Sequence, residues 1–378
     1  MQRVLFYDDT PDFGGHQVTA CAAARQLARQ GVDVIAAFSA ANARLHTAWS
    51  RVDARLEPLD LRLTRWQPFL SPFGIAAAPV RALLERVRPD VVVAVQGTIV
   101  QANRVVEQAR RLRIPVAGFI PTPLLFPPHQ RLFALVGRML SRWHYRRPDA
   151  FLTTSETARR GLVSDDGVRV PVHVVYYGPD PAALHAVPRA EARRRLGIPD
   201  DRFVIALIGR LTMGTKGHDL LLRAAARIQS GIPRLCVLFV GDGPDATRID
   251  TLLTDLGLTN IVRRLPWLDD MTDVYSGVDL VAIPSRHEGF PLVALEAMGY
   301  GLRIVAATVG ALPEVLPAEW LFPPGDVDAL TAALLRAYRD DARATIERNR
   351  ERVLHELNEE AFGRAFLEAL LRVAAASR

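Results

Sequence analysis

The stretch Phe203-Val204-Ile205-Ala206-Leu207-Ile208-Gly209-Arg210-Leu211 decides the fold class. Its apolar run without polar alternation describes a strand buried on both faces, and the glycine that ends it begins a turn toward the helical pattern near Asp219. The same unit recurs outward in both directions. Toward the amino terminus the runs are Val4 to Tyr7, Val32 to Phe38, Val91 to Val95, Val116 to Ile120, Phe151 to Thr153 and Val172 to Tyr177. Toward the carboxyl terminus they are Leu235 to Val240, Asn260 to Leu265, Leu280 to Ile283 and Ile304 to Ala307, and beyond Asp326 only helical patterning remains. Such strands separated by amphipathic helices predict an α/β fold of two tandem Rossmann-like domains with parallel sheets. Pro179, Pro181 and Pro188 interrupt the pattern between the two series, so the domains are expected over 1–185 and 186–358. A ligand is expected in the cleft between them, at the carboxyl ends of the strands.

Length and composition agree with two globular domains: 378 residues, 23% charged and 49% hydrophobic. The 47 basic residues outnumber the 41 acidic ones, yet only one of them, Lys216, is a lysine. The excess charge is spread in singles and pairs without basic runs, aromatic interleaving or a recognised motif, which excludes a nucleic-acid binder. Cys21 and Cys236 stand far apart in apolar stretches, giving neither a disulfide framework nor the spacing of a zinc site. The run after Met1 is too short for a signal peptide, and no stretch reaches the roughly 18 apolar residues of a membrane span, so a cytoplasmic protein is expected.

Four segments carry chemistry. From Leu280 to Gly310 a strand runs into Arg286-His287-Glu288-Gly289-Phe290-Pro291-Leu292 and then a helix bearing Glu296. Pro291 suits a first helical turn, whose free N–H groups and dipole favour an anion such as a diphosphate. The carboxylates of Glu288 and Glu296 repel phosphate and suit sugar hydroxyls; standing alone, such a pair is more often a helix cap and a solvated helix residue. Second, Gly209-Arg210 after a strand, followed by Lys216-Gly217 before a helix, places a planar and a point-charge donor together as a diphosphate clamp. The solitary lysine of an arginine-rich chain falls here. Third, Asp12-Phe13-Gly14-Gly15-His16 opens the first helix, its paired glycines allowing positive φ and close approach of a phosphate or sugar. Fourth, Gly241-Asp242-Gly243-Pro244-Asp245-Ala246 matches a permissive dinucleotide fingerprint but follows the wrong strand, and Pro244 lacks an N–H, so it reads as a tight turn.

Taken together, Gly209-Arg210, Lys216-Gly217, Gly241-Asp242-Gly243-Pro244, and Glu288-Gly289-Phe290-Pro291-Leu292 through Glu296-Ala297, followed by Gly310 and Glu314, resemble the retaining nucleotide-sugar glycosyltransferases of family 4, whose fold is called GT-B. The resemblance covers the whole second half and, through Gly14-Gly15 and the two-domain pattern, nearly the whole chain. It implies that Arg210 and Lys216 hold the donor phosphates with Gly289, Phe290, Pro291 and Leu292, that Glu296 takes the ribose hydroxyls, and that Glu288 contacts the donor sugar. Gly14, Gly15 and His16 then lie by the substrates. It also implies that the last helix, within 359–378, packs back on the first domain, and that a hexose passes with retention from a nucleotide diphosphate sugar, UDP or GDP, to a hydroxyl acceptor without metal or other cofactor. Asp326-Val327-Asp328 agrees, reading as a helix cap and not as a metal site. One departure stands out: where many relatives carry a histidine after Val116 to Ile120, this chain reads Pro121-Thr122-Pro123, leaving Thr122, backbone or His16 for that role. A sugar-nucleotide epimerase and a non-catalytic nucleotide-sugar-binding protein share the architecture. The Glu-x7-Glu context disfavours the first, and intact Arg210, Lys216, Glu288 and Glu296 disfavour the second.

Residues 1–185 carry 23 arginines against 15 acidic residues, and the remainder is slightly acidic. In this fold class the first domain faces the acceptor. Arg131, Arg138, Arg142 and Arg146 share one helical face opposite Leu132, Leu135, Val136, Met139, Leu140 and Trp143. With Pro123 to Pro128 they suggest a contact through 123–147 with an anionic or lipid-linked acceptor or the membrane surface, against the plainer reading of a core helix with solvated arginines.

Overall fold

The computed structural model describes residues 1–10, 13–60, 78–97, 101–121, 144–165 and 167–376. The stretch 123–147 therefore lies outside the described residues except for 144–147, as do Asp12 and Thr122. The chain divides into two compact units, Met1–Tyr177 with Glu359–Arg378, and Gly178–Asn358.

The first unit is built on a seven-stranded sheet ordered β3-β2-β1-β4-β5-β6-β7. Its strands are β1 (Arg3–Asp8), β2 (Asp33–Ser39), β3 (Arg55–Leu59), β4 (Val91–Val95), β5 (Val116–Phe119), β6 (Ala150–Thr153) and β7 (Val172–Val174). All pairings are parallel; β1 runs in register with β2 from Arg3 opposite Asp33 to Asp8 opposite Phe38. Every residue of β4, Val-Val-Val-Ala-Val, is buried, because helices cover both faces of a parallel sheet. The helix Glu359–Ala376 belongs to this unit and crosses the helix Gly15–Arg29 closely, since any side chain at Gly363 would overlap Gln26 Cβ, 2.3 Å from the Cβ position. Phe366 seats that helix against Phe6 and Phe119 at ring separations of 6.1 and 5.2 Å, and packs on Phe362 of its own helix at 5.5 Å.

The second unit holds a six-stranded parallel sheet ordered β10-β9-β8-β11-β12-β13. The strands are β8 (Phe203–Ile208), β9 (Leu235–Val240), β10 (Val262–Leu265), β11 (Leu280–Ile283), β12 (Arg303–Ala307) and β13 (Leu321–Phe322). In both sheets the first strand of the unit is flanked by the second and the fourth, the point where strand order reverses and ligands of doubly wound sheets bind. The start of β8 is anchored by Arg193, fully buried and paired with Asp279 at 2.7 Å, whose same carboxylate oxygen accepts the Val204 N–H. The guanidinium also donates to the carbonyls of Gly277, Asp200 and Arg202, so the buried charge is satisfied. Among the described residues, no helix is long and apolar enough to cross a membrane.

Candidate active site

Carboxyl-terminal to β8, the chain runs Gly209-Arg210-Leu211 into a single turn, Met213–Lys216, and then the helix His218–Ile228. Gly209 (φ 147°) and Gly217 (φ 72°) take backbone conformations that disfavour side chains, and a Cβ at Gly217 would lie 2.0 Å from the Pro284 carbonyl oxygen. This loop is braced by the turn after β9: a Cβ at Gly241 would meet the Gly209 carbonyl at 2.3 Å, and Asp245 accepts the Met213 N–H at 2.8 Å. Gly241 to Asp245 is thus a brace for the Arg210 to Lys216 loop.

The loop after β11 meets it from the other side. Arg286 donates to both carboxylate oxygens of Asp219, at 2.9 and 2.7 Å, and to the Met213 carbonyl, tying the two loops together. Burial pushes the Asp219 carboxyl up while the Arg286 guanidinium pulls it down, and the net direction is down. Lys216 Nζ then reaches Glu288 Oε1 at 2.7 Å, and the Ser285 hydroxyl donates to the same oxygen at 2.6 Å. Lys216, Ser285, Glu288, Phe290, Pro291 and Leu292 line one cavity of ≈150 Å3 at the carboxyl ends of β8 and β11. That is smaller than the roughly 300–1,000 Å3 that encloses a whole ligand, so it fits one portion of a larger molecule. Arg210 is exposed at the rim of this loop, and no ion pair engages it among the described residues.

Pro291 departs from its expected place. The helix begins at Leu292, and Pro291 (φ −88°, ψ 74°) is the capping residue, outside the helix and leading its N-terminus into the cavity wall. Gly310 (φ 56°) backs the loop: a Cβ there would lie 2.3 Å from the Glu288 carbonyl oxygen and 3.0 Å from that of Gly289. A Gly310→Ala variant is expected to displace the Glu288-Gly289 backbone and lower kcat/KM by roughly 10-fold or more, as a 1 Å misplacement does; steady-state kinetics at unchanged circular dichroism check it.

Glu296 sits one turn farther into the helix, half-buried, and accepts the Tyr275 hydroxyl on Oε2 at 2.5 Å. Burial raises its pKa, and the Tyr275 bond opposes that shift. Asp326 caps the helix Val327–Arg339, accepting the Ala329 N–H at 2.9 Å.

Gly14, Gly15 and His16 belong to the first unit, at the carboxyl end of β1. Gly14 has φ −152°, ordinary extended backbone, so the glycine pair does not serve positive φ there. The loop is held by a buried relay instead. Gly14 N–H donates to Gln17 Oε1 at 2.5 Å, Gln17 Nε2 to Thr10 Oγ1 at 2.7 Å, and the Thr10 hydroxyl and N–H to Asp8 Oδ1. Burial lowers the His16 pKa and raises those of Asp8 and Asp9, the latter to about 6.

Sequence reasoning missed Ser285, Tyr275 and the Arg286–Asp219 clamp. Ser285 and Arg286 adjoin Glu288 in the chain, whereas Tyr275 carries no signal near its partner. A larger cavity, ≈560 Å3, lies on the first unit among Arg110, Arg111, Arg113, Arg147, Glu107 and Asp149. It adjoins the amino ends of β5 and β6; Arg110 and Arg111 lie in the last turn of the helix Asn103–Arg111, where they complement the helix dipole, and Arg113 and Arg147 stand before β5 and β6. That is the sheet edge opposite to the one that binds ligands in doubly wound folds.

Comparison with known proteins places both units. Residues 14–178 match the glycosyl transferase 4-like domain, and residues 202–340 match the glycosyl transferases of group 1. A D-inositol 3-phosphate glycosyltransferase of Saccharomonospora viridis is 38% identical over 192 residues, 47% of this chain and 44% of that protein. One from Catenulispora acidiphila is 39% identical over 189 residues, 46% of this chain and 45% of that protein. The chain thus spans under half the length of these curated relatives. Among solved structures, Anabaena HepE in complex with UDP superposes with a TM-score of 0.81 at 21% identity, over 98% of this chain and 100% of that one. Sucrose-phosphate synthase from Thermosynechococcus elongatus gives 0.77 at 21% identity, over the full length of both. These are likenesses of fold, the GT-B class. The chain thus pairs a glycosyl transferase 4-like domain, on its first unit, with a domain of the glycosyl transferases of group 1, on its second.

Proposed function

We propose that the protein is a glycosyltransferase that moves a hexose from a nucleotide diphosphate sugar to a hydroxyl acceptor. The observation that carries this reading is the juxtaposition of Lys216 and Glu288 at the mouth of a helix N-terminus: a cation and dipole suited to a diphosphate beside a carboxylate suited to sugar hydroxyls. In the reaction, the bond from the anomeric carbon to the diphosphate oxygen breaks and its electron pair stays on the diphosphate. Lys216, Arg210 and the N-terminus of the helix Leu292–Gly299 stabilise the charge that develops there. The acceptor hydroxyl oxygen forms the new bond, and its proton passes to the departing phosphate oxygen. Glu288 holds the donor sugar and Glu296 the ribose. None of these steps requires a metal.

UDP is the favoured nucleotide, because HepE of the same fold was solved with UDP and with UDP-glucose. D-inositol 3-phosphate, named for the curated relatives, is the first acceptor to try. Thermal-shift measurements with UDP, GDP and ADP test the donor site. A nucleotide at 100 times its Kd stabilises the fold by about 2.7 kcal/mol, so one of the three is expected to raise the melting temperature well above the others. Equal, null responses to all three refute a nucleotide site. Release of that nucleotide from its sugar conjugate, dependent on an added acceptor, then tests transfer.

A further inference from the structure

Tyr275, on the helix Thr272–Gly277 that precedes β11, is 2% exposed. Its hydroxyl donates to Glu296 Oε2 at 2.5 Å, and among the described residues it is the side chain that hydrogen-bonds this carboxylate. The ring has little freedom. It stacks on Tyr300, centroids 5.0 Å apart and planes at 22°, and the Tyr300 hydroxyl is itself held by Thr272 at 3.3 Å and the Ala183 carbonyl at 3.4 Å. Tyr300 follows directly on the helix that carries Glu296, so donor and acceptor are fixed against each other by a second contact.

We infer that Tyr275 is a positioning residue for Glu296: its hydroxyl fixes one carboxylate oxygen and leaves the other presented to the ribose hydroxyls of the nucleotide. The inference rests on the ribose role given to Glu296 above. A glutamate on a helix surface samples several rotamers, and a ligand that must freeze them binds more weakly. A carboxylate already held by a buried phenol accepts a hydroxyl without that loss. Protonation states suit the arrangement. Burial first and then the Glu296 charge push the Tyr275 phenol well above its ordinary value, so it remains a donor, and its bond opposes the rise that burial imposes on Glu296.

Binding of UDP, GDP and ADP, each compared with its 2′-deoxy form, by wild type and Tyr275→Phe tests this. The Phe variant keeps the ring stack on Tyr300 and loses the hydroxyl alone. For the nucleotide that binds, wild type is expected to lose about tenfold in affinity on 2′-deoxygenation, the scale of one hydrogen bond to a charged group. In Tyr275→Phe the ribonucleotide is expected to bind about 5-fold more weakly or worse, and the deoxy penalty to shrink to within about 2-fold. Undiminished discrimination in Tyr275→Phe overturns the positioning role while leaving the ribose role of Glu296 standing. Equal affinities in wild type overturn both. A structure of the wild-type protein with the nucleotide bound decides independently of any variant: Tyr275 on Glu296 Oε2 with ribose on Oε1 is the expected result, and Tyr275 turned away overturns the proposal.

Discussion

A Lys216→Ala variant is expected to lose about 10²–10³-fold in kcat/KM, the magnitude found when one donor to a developing oxyanion is removed. The only lysine in the chain is held at 2.7 Å from Glu288, its stem lying along Gly209, where a Cβ would come within 3.4 Å of Lys216 Cε. With donor bound, the ammonium is expected to exchange the carboxylate for the diphosphate and so release Glu288 to the sugar. The change is expected to cost little stability. The pair is partly exposed, with 25% of the lysine and 11% of the glutamate side chain accessible, and such pairs contribute about 1 kcal/mol or less. Glu288 also keeps the Ser285 hydroxyl. Steady-state kinetics with thermal melting check both halves. Full activity in Lys216→Ala would falsify the site assignment. Lys216→Arg is expected to recover only part of the loss, because a planar guanidinium does not replace a compact ammonium in a small cavity.

The largest expected effect on stability is at the other end of the chain. Phe366→Ala should destabilise the first unit by about 3–5 kcal/mol, the range for deleting a fully buried phenylalanine. Phe366 is 0% exposed and its ring partners, Phe6, Phe119 and Phe362, all belong to that unit. The helix it anchors also supplies Glu359, 4% exposed, which accepts from Arg25 and Gln26. Denaturant unfolding followed by hydrogen exchange of β1 and β5 reads the loss. Amides of β8 and β9 should keep their protection, since the Phe366 ring partners among the described residues all belong to the first unit.

The strands legible in the sequence were those with continuous apolar runs, such as Val91 to Val95 and Phe203 to Ile208, because burial on both faces leaves no room for polar residues. The two strands it did not disclose are both at sheet edges. β3, Arg55-Leu56-Glu57-Pro58-Leu59, is half-exposed and contains a proline that only an edge tolerates. β13 is two residues long, Leu321–Phe322, too short to carry a pattern. In the site, Arg210, Lys216, Glu288 and Pro291 were legible on the segments that follow strands, and Leu292 at the start of the helix beyond them. The direction of each side chain was not. Arg210 stands exposed, Lys216 is turned onto a carboxylate, and Gly14 takes extended backbone where its pairing with Gly15 suggested a turn.

By itself the sequence determined two parallel α/β units and the loops at which their chemistry gathers. Apolar periodicity is a local property, set by whether each residue within a few positions faces the core or water. Only the tertiary structure decided which side chains meet. Lys216 finds Glu288 across 72 positions, and Tyr275 finds Glu296 from a helix on the other side of β11. Likewise the last helix packs on β4, β5 and β6 although most of the chain intervenes. Those meetings follow from the strand order, which sets β8 between β9 and β11 and brings the loops after β8 and β11 to one edge. No local pattern encodes that order; it is selected by how the buried faces of all the strands and helices pack at once.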